Sequence, residues 1–409
     1  MRQLITAVFL AASACLSPVA AMDLPSSSPR GDAFVQGNTA FALELYRQLR
    51  QSEPANLFFS PYSISVALGM TYAGACGNTQ VQMANALHFP RGQEVHEAFG
   101  ATQKTLAAAQ RSGAAEFSFA NSLWAQQGHP FGQEFLERVQ SNYEATLEQV
   151  DFTRAYDAAR RQINDWAAEK TRDRIRELLG PLTLDEHTRL VLVNTIYFKS
   201  AWEHPFEAAA TREAPFRTLG HRSVEVDMMS QQHRFRYAED DSLQVLELPY
   251  VDGGFSMLIL LPGRGVGLDA VEDRLTPDNL ERWLEAMRYR EVEIYLPKFR
   301  FEDDFELSAA LQSLGMEEAF TWDADFSAMD GTRELSLSKV LHGTFVAVDE
   351  QGTEAAAATA VVVEFIALPP ETPKVFRADR PFVFLIRERE TDSILFIGRF
   401  ADPEAGGSR

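Results

Sequence analysis

Two cysteines are all that the 409 residues contain. Cys15 lies beside the N-terminal apolar run; if it leaves with that run, Cys76 has no partner and no intrachain disulfide can staple the fold. The core must then carry the stability. Cys76 sits in AGACGNT, in no His/Cys cluster, which reads as a small packed residue rather than a reactive thiol. Positive charge is scarce as well: 38 Lys and Arg stand against 58 Asp and Glu, a formal net charge of −20. That argues against a broad phosphate-binding surface, hence against nucleic acid as a partner. Long apolar runs are missing too. Residues 4–14 are apolar, but a membrane-spanning helix needs about 20 such residues. Catalytic signatures are also lacking. The chain has no G-x-S-x-G, no H-E-x-x-H and no Gly-rich loop ending in Gly-Lys-Ser/Thr. The GRGVG of 263–267 reads as a turn. The eight histidines are scattered without metal-ligand spacing, so no metal or cofactor is implied.

What is present begins with a targeting pattern. Arg2 gives a basic start, the apolar run follows, and Val19-Ala20-Ala21 offers a small-residue cleavage site before Met22. Residues 1–21 read as a secretory signal peptide, which predicts a secreted, periplasmic or extracellular protein. Ala12-Ser13-Ala14-Cys15 is an incomplete bacterial lipoprotein box, and lipid anchoring through Cys15 is the alternative. Residues 22–34 read as a Pro/Ser linker and 404–409 as a flexible tail. Between them, 35–403 has no Pro/Gly-rich break and is expected to be one domain. Hydrophobic content of 45% is ordinary for a soluble chain with a large core.

The periodicities are mixed. Phe41, Leu45 and Leu49 recur every four residues and predict a first amphipathic helix. Residues 63–73 (SISVALGMTYA) are apolar nearly all round and predict a buried helix. Residues 155–179 predict a surface helix with Ile163, Trp166, Ile175 and Leu179 on one face. Strands dominate the second half: LQVLELPYVDGGFSMLILLPG and FVFLIRERETDSILFIGRF read as hairpins, and EVEIYLPKF alternates. The fold class is α+β with large, mostly antiparallel or mixed sheets.

One stretch resists this scheme: DEQGTEAAAATAVVVEFIALPP, residues 349–370. Ala favours helix, but Thr359 and Val361 to Val363 are β-branched and Gly352 and Pro369 bound the run. It is too short for a membrane. A strand not yet in a sheet is the third reading. Thr353, Ala355, Ala357, Thr359, Val361 and Val363 would then share one face, all small or β-branched and none charged. Glu354 and Glu364 end the opposite face.

Several segments then fall in a familiar order. NLFFSPYSISVALGMTYAGACGNT (56–79), LVLVNTIYFKSAWEHPF (190–206), ELPY, LPKF, LSKVLHGTFVAVDEQGTEAAAAT and RPFVFLIRERETDSILFIGRF together resemble the serpin family over nearly the whole mature chain, suggesting a secreted, bacterial-type member. The resemblance implies three β-sheets, about eight or nine helices and an exposed reactive loop. It implies no enzyme but an inhibitor: a serine, or possibly cysteine, protease attacks the loop, forms an acyl-enzyme, and is trapped when the loop inserts into the central sheet, an event of a kind known as strand addition. By matching motifs, Ser60, Ser63, Asn194 and His342 form the shutter beneath that sheet. Trp202 marks the breach where insertion starts, and Lys298 pairs with Glu350 there. The hinge is Glu350, Gly352, Thr353, Glu354, Ala355, Ala356, Ala357, Ala358 and Thr359. Family spacing from Gly352 puts the reactive bond at Ile366-Ala367, with Phe365 and Leu368 as neighbouring candidates. No Lys or Arg lies between Gly352 and Pro373, so elastase-, chymotrypsin- or subtilisin-like targets are expected rather than trypsin-like ones. Only Lys104 and Arg111 are cationic in the early helix EVHEAFGATQKTLAAAQR, which argues against polyanion activation. A monomer is expected. The alternative function is a non-inhibitory carrier or chaperone of the same fold.

Overall fold

The hydrophobic stripe that predicts the first helix reaches further back than Phe41. Phe34 and Leu49 bracket a buried face that includes Asn38, Phe41, Ala42 and Leu45, and the ring of Phe34 meets that of Phe99 edge-on at 4.7 Å. The helix therefore runs Pro29–Ser52 and starts inside the stretch 22–34 read as linker. That stretch needs correction at its end: Phe34 has core to bury and the backbone follows it. The computed structural model describes residues 29–53, 55–90, 92, 94–112, 115–143, 145–353 and 372–405.

Ser60 and Pro61 start the second helix. The Ser60 hydroxyl accepts the Ser63 N–H at 3.1 Å and Pro61 takes the first helical position, where no N–H is needed. Helix Pro61–Tyr72 is buried at every position, as its uniform apolarity predicts. It packs between a strand from each of two sheets, Leu190–Ala201 and Ile394–Phe400.

The central sheet has six strands in the order Phe299–Glu306, Leu337–Val348, Gly352–Thr353, Leu190–Ala201, Glu116–Gln126 and Thr146–Val150. It is mixed. Leu337–Val348 and Leu190–Ala201 pair parallel from Leu337↔Leu190 to Thr344↔Ile196, whereas Glu116–Gln126 runs antiparallel to Leu190–Ala201. The second sheet has nine strands. It contains the predicted hairpins, Leu243–Pro249 with Phe255–Pro262 and Phe382–Glu388 with Ile394–Phe400. The three sheets implied by the resemblance become two hydrogen-bonded ladders here. Strand Ser223–Glu239 spans 17 residues, pairs from Met228 to Tyr237 with Arg288–Pro297 and turns its last residues onto Leu243–Pro249, which joins two of them. The described residues hold ten α-helices, three of them six residues or shorter.

The predicted surface helix 155–179 is shorter: it runs Phe152–Lys170. Arg172 and Asp173 adopt left-handed backbone, and the chain folds back. The Thr171 hydroxyl accepts the Ile175 N–H, and the Asn164 amide clamps both N–H and C=O of Leu179. Ile175 and Leu179 still reach the expected face. With Trp124, Val191, Val193 and Leu341 they form a second core on the outer face of the central sheet. The main core lies on its inner face.

Candidate functional site

The two parallel strands at the middle of the central sheet stay paired only as far as Thr344↔Ile196. Beyond that point they part, and the chain itself occupies the gap. After Val348 it turns: the Asp349 carboxylate accepts N–H groups of Gln351 and Gly352, and the Asp349 N–H donates to the Gly352 carbonyl. It then returns between the strands. Thr353 pairs with Val348 on one side and Ser200 on the other, and Gly352 pairs with Ala201, all antiparallel. Position 352 has to be glycine. Its φ is +155°, and a Cβ there would lie 2.1 Å from the Ser200 carbonyl oxygen.

The wedge is held from below and from the side. Thr353 is buried, and its hydroxyl hydrogen-bonds the Tyr250 hydroxyl at 2.7 Å. Trp202 stacks on Tyr250 with ring centroids 4.6 Å apart, and its indole N–H donates to the Asp349 carbonyl at 3.0 Å. Backbone N–H groups of Trp202 and Phe206 donate to the carbonyls of Gln351 and Glu350. The Lys298 ammonium sits 3.0 Å from the Glu350 carboxylate, which also accepts from Thr211. Partial burial works to raise the Glu350 carboxyl, but the bonds from Lys298 and Thr211 prevail and hold it below its ordinary pKa. Glu350, Gly352, Thr353, Trp202 and Lys298 thus meet in one place. Tyr250 and Thr211 belong to the same cluster, although the sequence reading singled out neither.

Ser60, Ser63, Asn194 and His342 are all buried; Asn194 and His342 sit opposite each other in the parallel pair, and Ser60 and Ser63 meet them from the start of the buried helix. The Ser60 N–H donates to His342 Nε2 at 3.0 Å. The other ring nitrogen therefore carries the proton and donates to Asn194 Oδ1. Asn194 Nδ2 in turn meets Ser63 Oγ and Asn121 Oδ1. Burial pulls the His342 imidazole down to about 3, so it is neutral throughout this chain of bonds. Asn121 is a further member that the sequence did not reveal: a polar residue in FANSLWAQ looks like any strand residue facing solvent. The remaining hinge residues, Glu354 to Thr359, and the reactive-bond residues Phe365, Ile366, Ala367 and Leu368 lie outside the described residues. Among the described residues no three or more His, Cys, Asp or Glu side chains converge as metal ligands.

A paired strand already started in a gap between parallel neighbours is a site built for strand addition. The family comparison agrees with it: the model for Serpin (serine protease inhibitor) matches residues 36–403. The chain is a serpin. The leukocyte elastase inhibitor of Sus scrofa is 43% identical over 376 residues, covering 90% of this chain and 98% of that protein. Serpin B3 of Homo sapiens is 39% identical over 389 residues, 90% of this chain and 99% of its own. Among solved structures, uncleaved ovalbumin matches with a TM-score of 0.80 at 30% identity, over 91% of this chain and all of that one. This serpin is a protease inhibitor rather than an enzyme. It offers its loop as a substrate and traps the acyl-enzyme by inserting the cleaved loop into the central sheet.

Proposed function

We propose that this serpin inhibits serine proteases with apolar primary pockets, elastase-, chymotrypsin- or subtilisin-like. The observation that carries the inhibitory half is the Gly352–Thr353 wedge, because a loop whose first residues are already paired has its insertion register set before any protease arrives. The target class rests on sequence. Ile366, Phe365 and Leu368 are apolar, and no cation lies between Gly352 and Pro373. Several of its relatives are named leukocyte elastase inhibitors, which supports the same class. The target's serine oxygen attacks the Ile366 carbonyl carbon and forms an ester there. The Ile366-Ala367 bond breaks, and Ala367 leaves as a free amine after taking a proton. Insertion then carries the ester-linked protease away. The test is to mix the chain with elastase, chymotrypsin and trypsin and look for an SDS-resistant complex. The new N-terminus of the released peptide is then sequenced. A complex with the first two, none with trypsin, and an N-terminus at Ala367 is the expected result; tight trypsin trapping with cleavage after Lys374 overturns it.

We also propose export of this chain as a secreted, bacterial-type and monomeric inhibitor without polyanion activation. Arg2, the apolar residues 4–14 and Val19-Ala20-Ala21 support export. Mass measurement of the mature chain tests it: a start at Met22 supports secretion, and a lipid on Cys15 replaces it with anchoring.

A further inference from the structure

The far end of the central sheet, opposite the wedge, carries an open cleft of about 430 Å³. Arg189 lines it where the chain enters strand Leu190–Ala201, and Lys339 where strand Leu337–Val348 begins. Glu306, Ser308 and the exposed Trp322 complete the part that matters here. Its cations are under-used. The Arg189 guanidinium donates to the backbone carbonyls of Glu186 and Thr188, and Lys339 meets Glu306 only at 3.7 Å. Ser308 is buried, and its hydroxyl has no partner among the described residues.

The ladders at the wedge fix what arrives at this cleft. Gly352 is opposite Ala201, and Thr353 is opposite both Ser200 and Val348. Continued residue by residue, the first ladder brings Val362 opposite Val191 and the second brings it opposite Lys339. Lys339 and Val191 are already opposite each other, so both ladders agree down to that pair; just beyond it a bulge brings Leu337 opposite Leu190, and the two ladders part by one residue there. Two residues further on, the first ladder brings Glu364 opposite Arg189, while on the other side Lys339, the last residue before the bulge, lies diagonal to it, within reach of long side chains. The facing agrees as well. Thr353 points to the inner core, so Glu364 falls on the other face. Val191, Val193 and Leu341 pack on that outer face, and Arg189 and Lys339, two residues before Val191 and Leu341, share it. No ionisable residue lies between Glu354 and Glu364.

We infer that this cleft receives Glu364 of the cleaved loop, its carboxylate seated between Arg189 and Lys339. The pair sets where the inserted strand stops, and with it the position to which the tethered protease is carried. The inference rests on the insertion mechanism. Its test uses the full chain, native and nicked to completion in the loop, with unfolding rates followed in guanidinium chloride. The variants are Glu364→Gln, the double Arg189→Ala/Lys339→Ala, and all three together. Each cleaved rate is read relative to the native rate of the same variant, because Arg189 and Lys339 also make contacts in the uncleaved chain. Cleaved Glu364→Gln and the cleaved double variant should each unfold about fivefold faster than cleaved wild type. The triple variant should be no faster than either. Equal rates for cleaved wild type and cleaved Glu364→Gln, both slower than native, overturn the cleft's role and leave insertion standing. A cleaved wild type no slower than native overturns insertion and this inference with it.

Discussion

Thr353 decides the facing of everything that follows it. Its buried hydroxyl on Tyr250 puts odd-numbered loop residues on the inner side of an inserted strand, so Ala355→Arg would carry a charge into the core. Burying an unpaired charge costs several kcal/mol, and each 1.4 kcal/mol on the insertion barrier slows that step about tenfold. The variant should be cut at the same bond but release active protease, with at least a tenfold loss of covalent complex. Glu354→Arg faces the other way and should lose far less; equal losses contradict the facing. His342 gives a second residue-scale expectation. Its folded pKa of about 3 lies below the ordinary 6.5, so the unfolded chain takes up the proton first. The stability it contributes is complete above pH 6.5 and is lost as pH falls towards 3. Asp303, which burial pushes up to about 7, acts in the opposite sense, so the wild-type profile alone mixes the two. The thermal midpoint of wild type minus that of His342→Gln isolates the imidazole. This difference should shrink between pH 6.5 and 4, and a constant difference contradicts a neutral buried ring.

Among the elements, the breach is held by two contacts of unequal weight. Lys298 and Glu350 are partly exposed to solvent, and a pair of that kind is worth about 1 kcal/mol or less. Trp202 is buried against Tyr250, and truncating such a ring costs about 3–5 kcal/mol. Denaturant unfolding should therefore separate Trp202→Ala from Lys298→Ala by a wide margin, with only the smaller effect weakening in salt; similar losses contradict this ranking. These elements were unevenly legible in the sequence. The buried helix Pro61–Tyr72 and both hairpins follow from apolar runs and turn residues that dictate local structure. The helix over 155–179 does not. Its apolar spacing continues past Lys170, yet Thr171 and Asn164 take the backbone bonds that a longer helix would need. The joining of sheets through Ser223–Glu239 depends on long-range pairing that no local pattern encodes. At the site, His342 and Asn194 could be placed by motif, whereas Asn121 and Tyr250 join them only through folding.

At the scale of the whole molecule, the central sheet is unfinished. Its two middle strands are parallel neighbours held by a short ladder and a buried hydrogen-bond chain, and the segment that could separate them is already started at one end. An antiparallel strand between them would give every backbone group on both sides a partner. Hydrogen exchange of residues 354–364, before and after complete cleavage in the loop, tests this most directly. These amides should gain protection by orders of magnitude on cleavage, spreading from Thr353 towards Glu364 and absent in Ala355→Arg. Amides that exchange equally fast in the cleaved chain would contradict it.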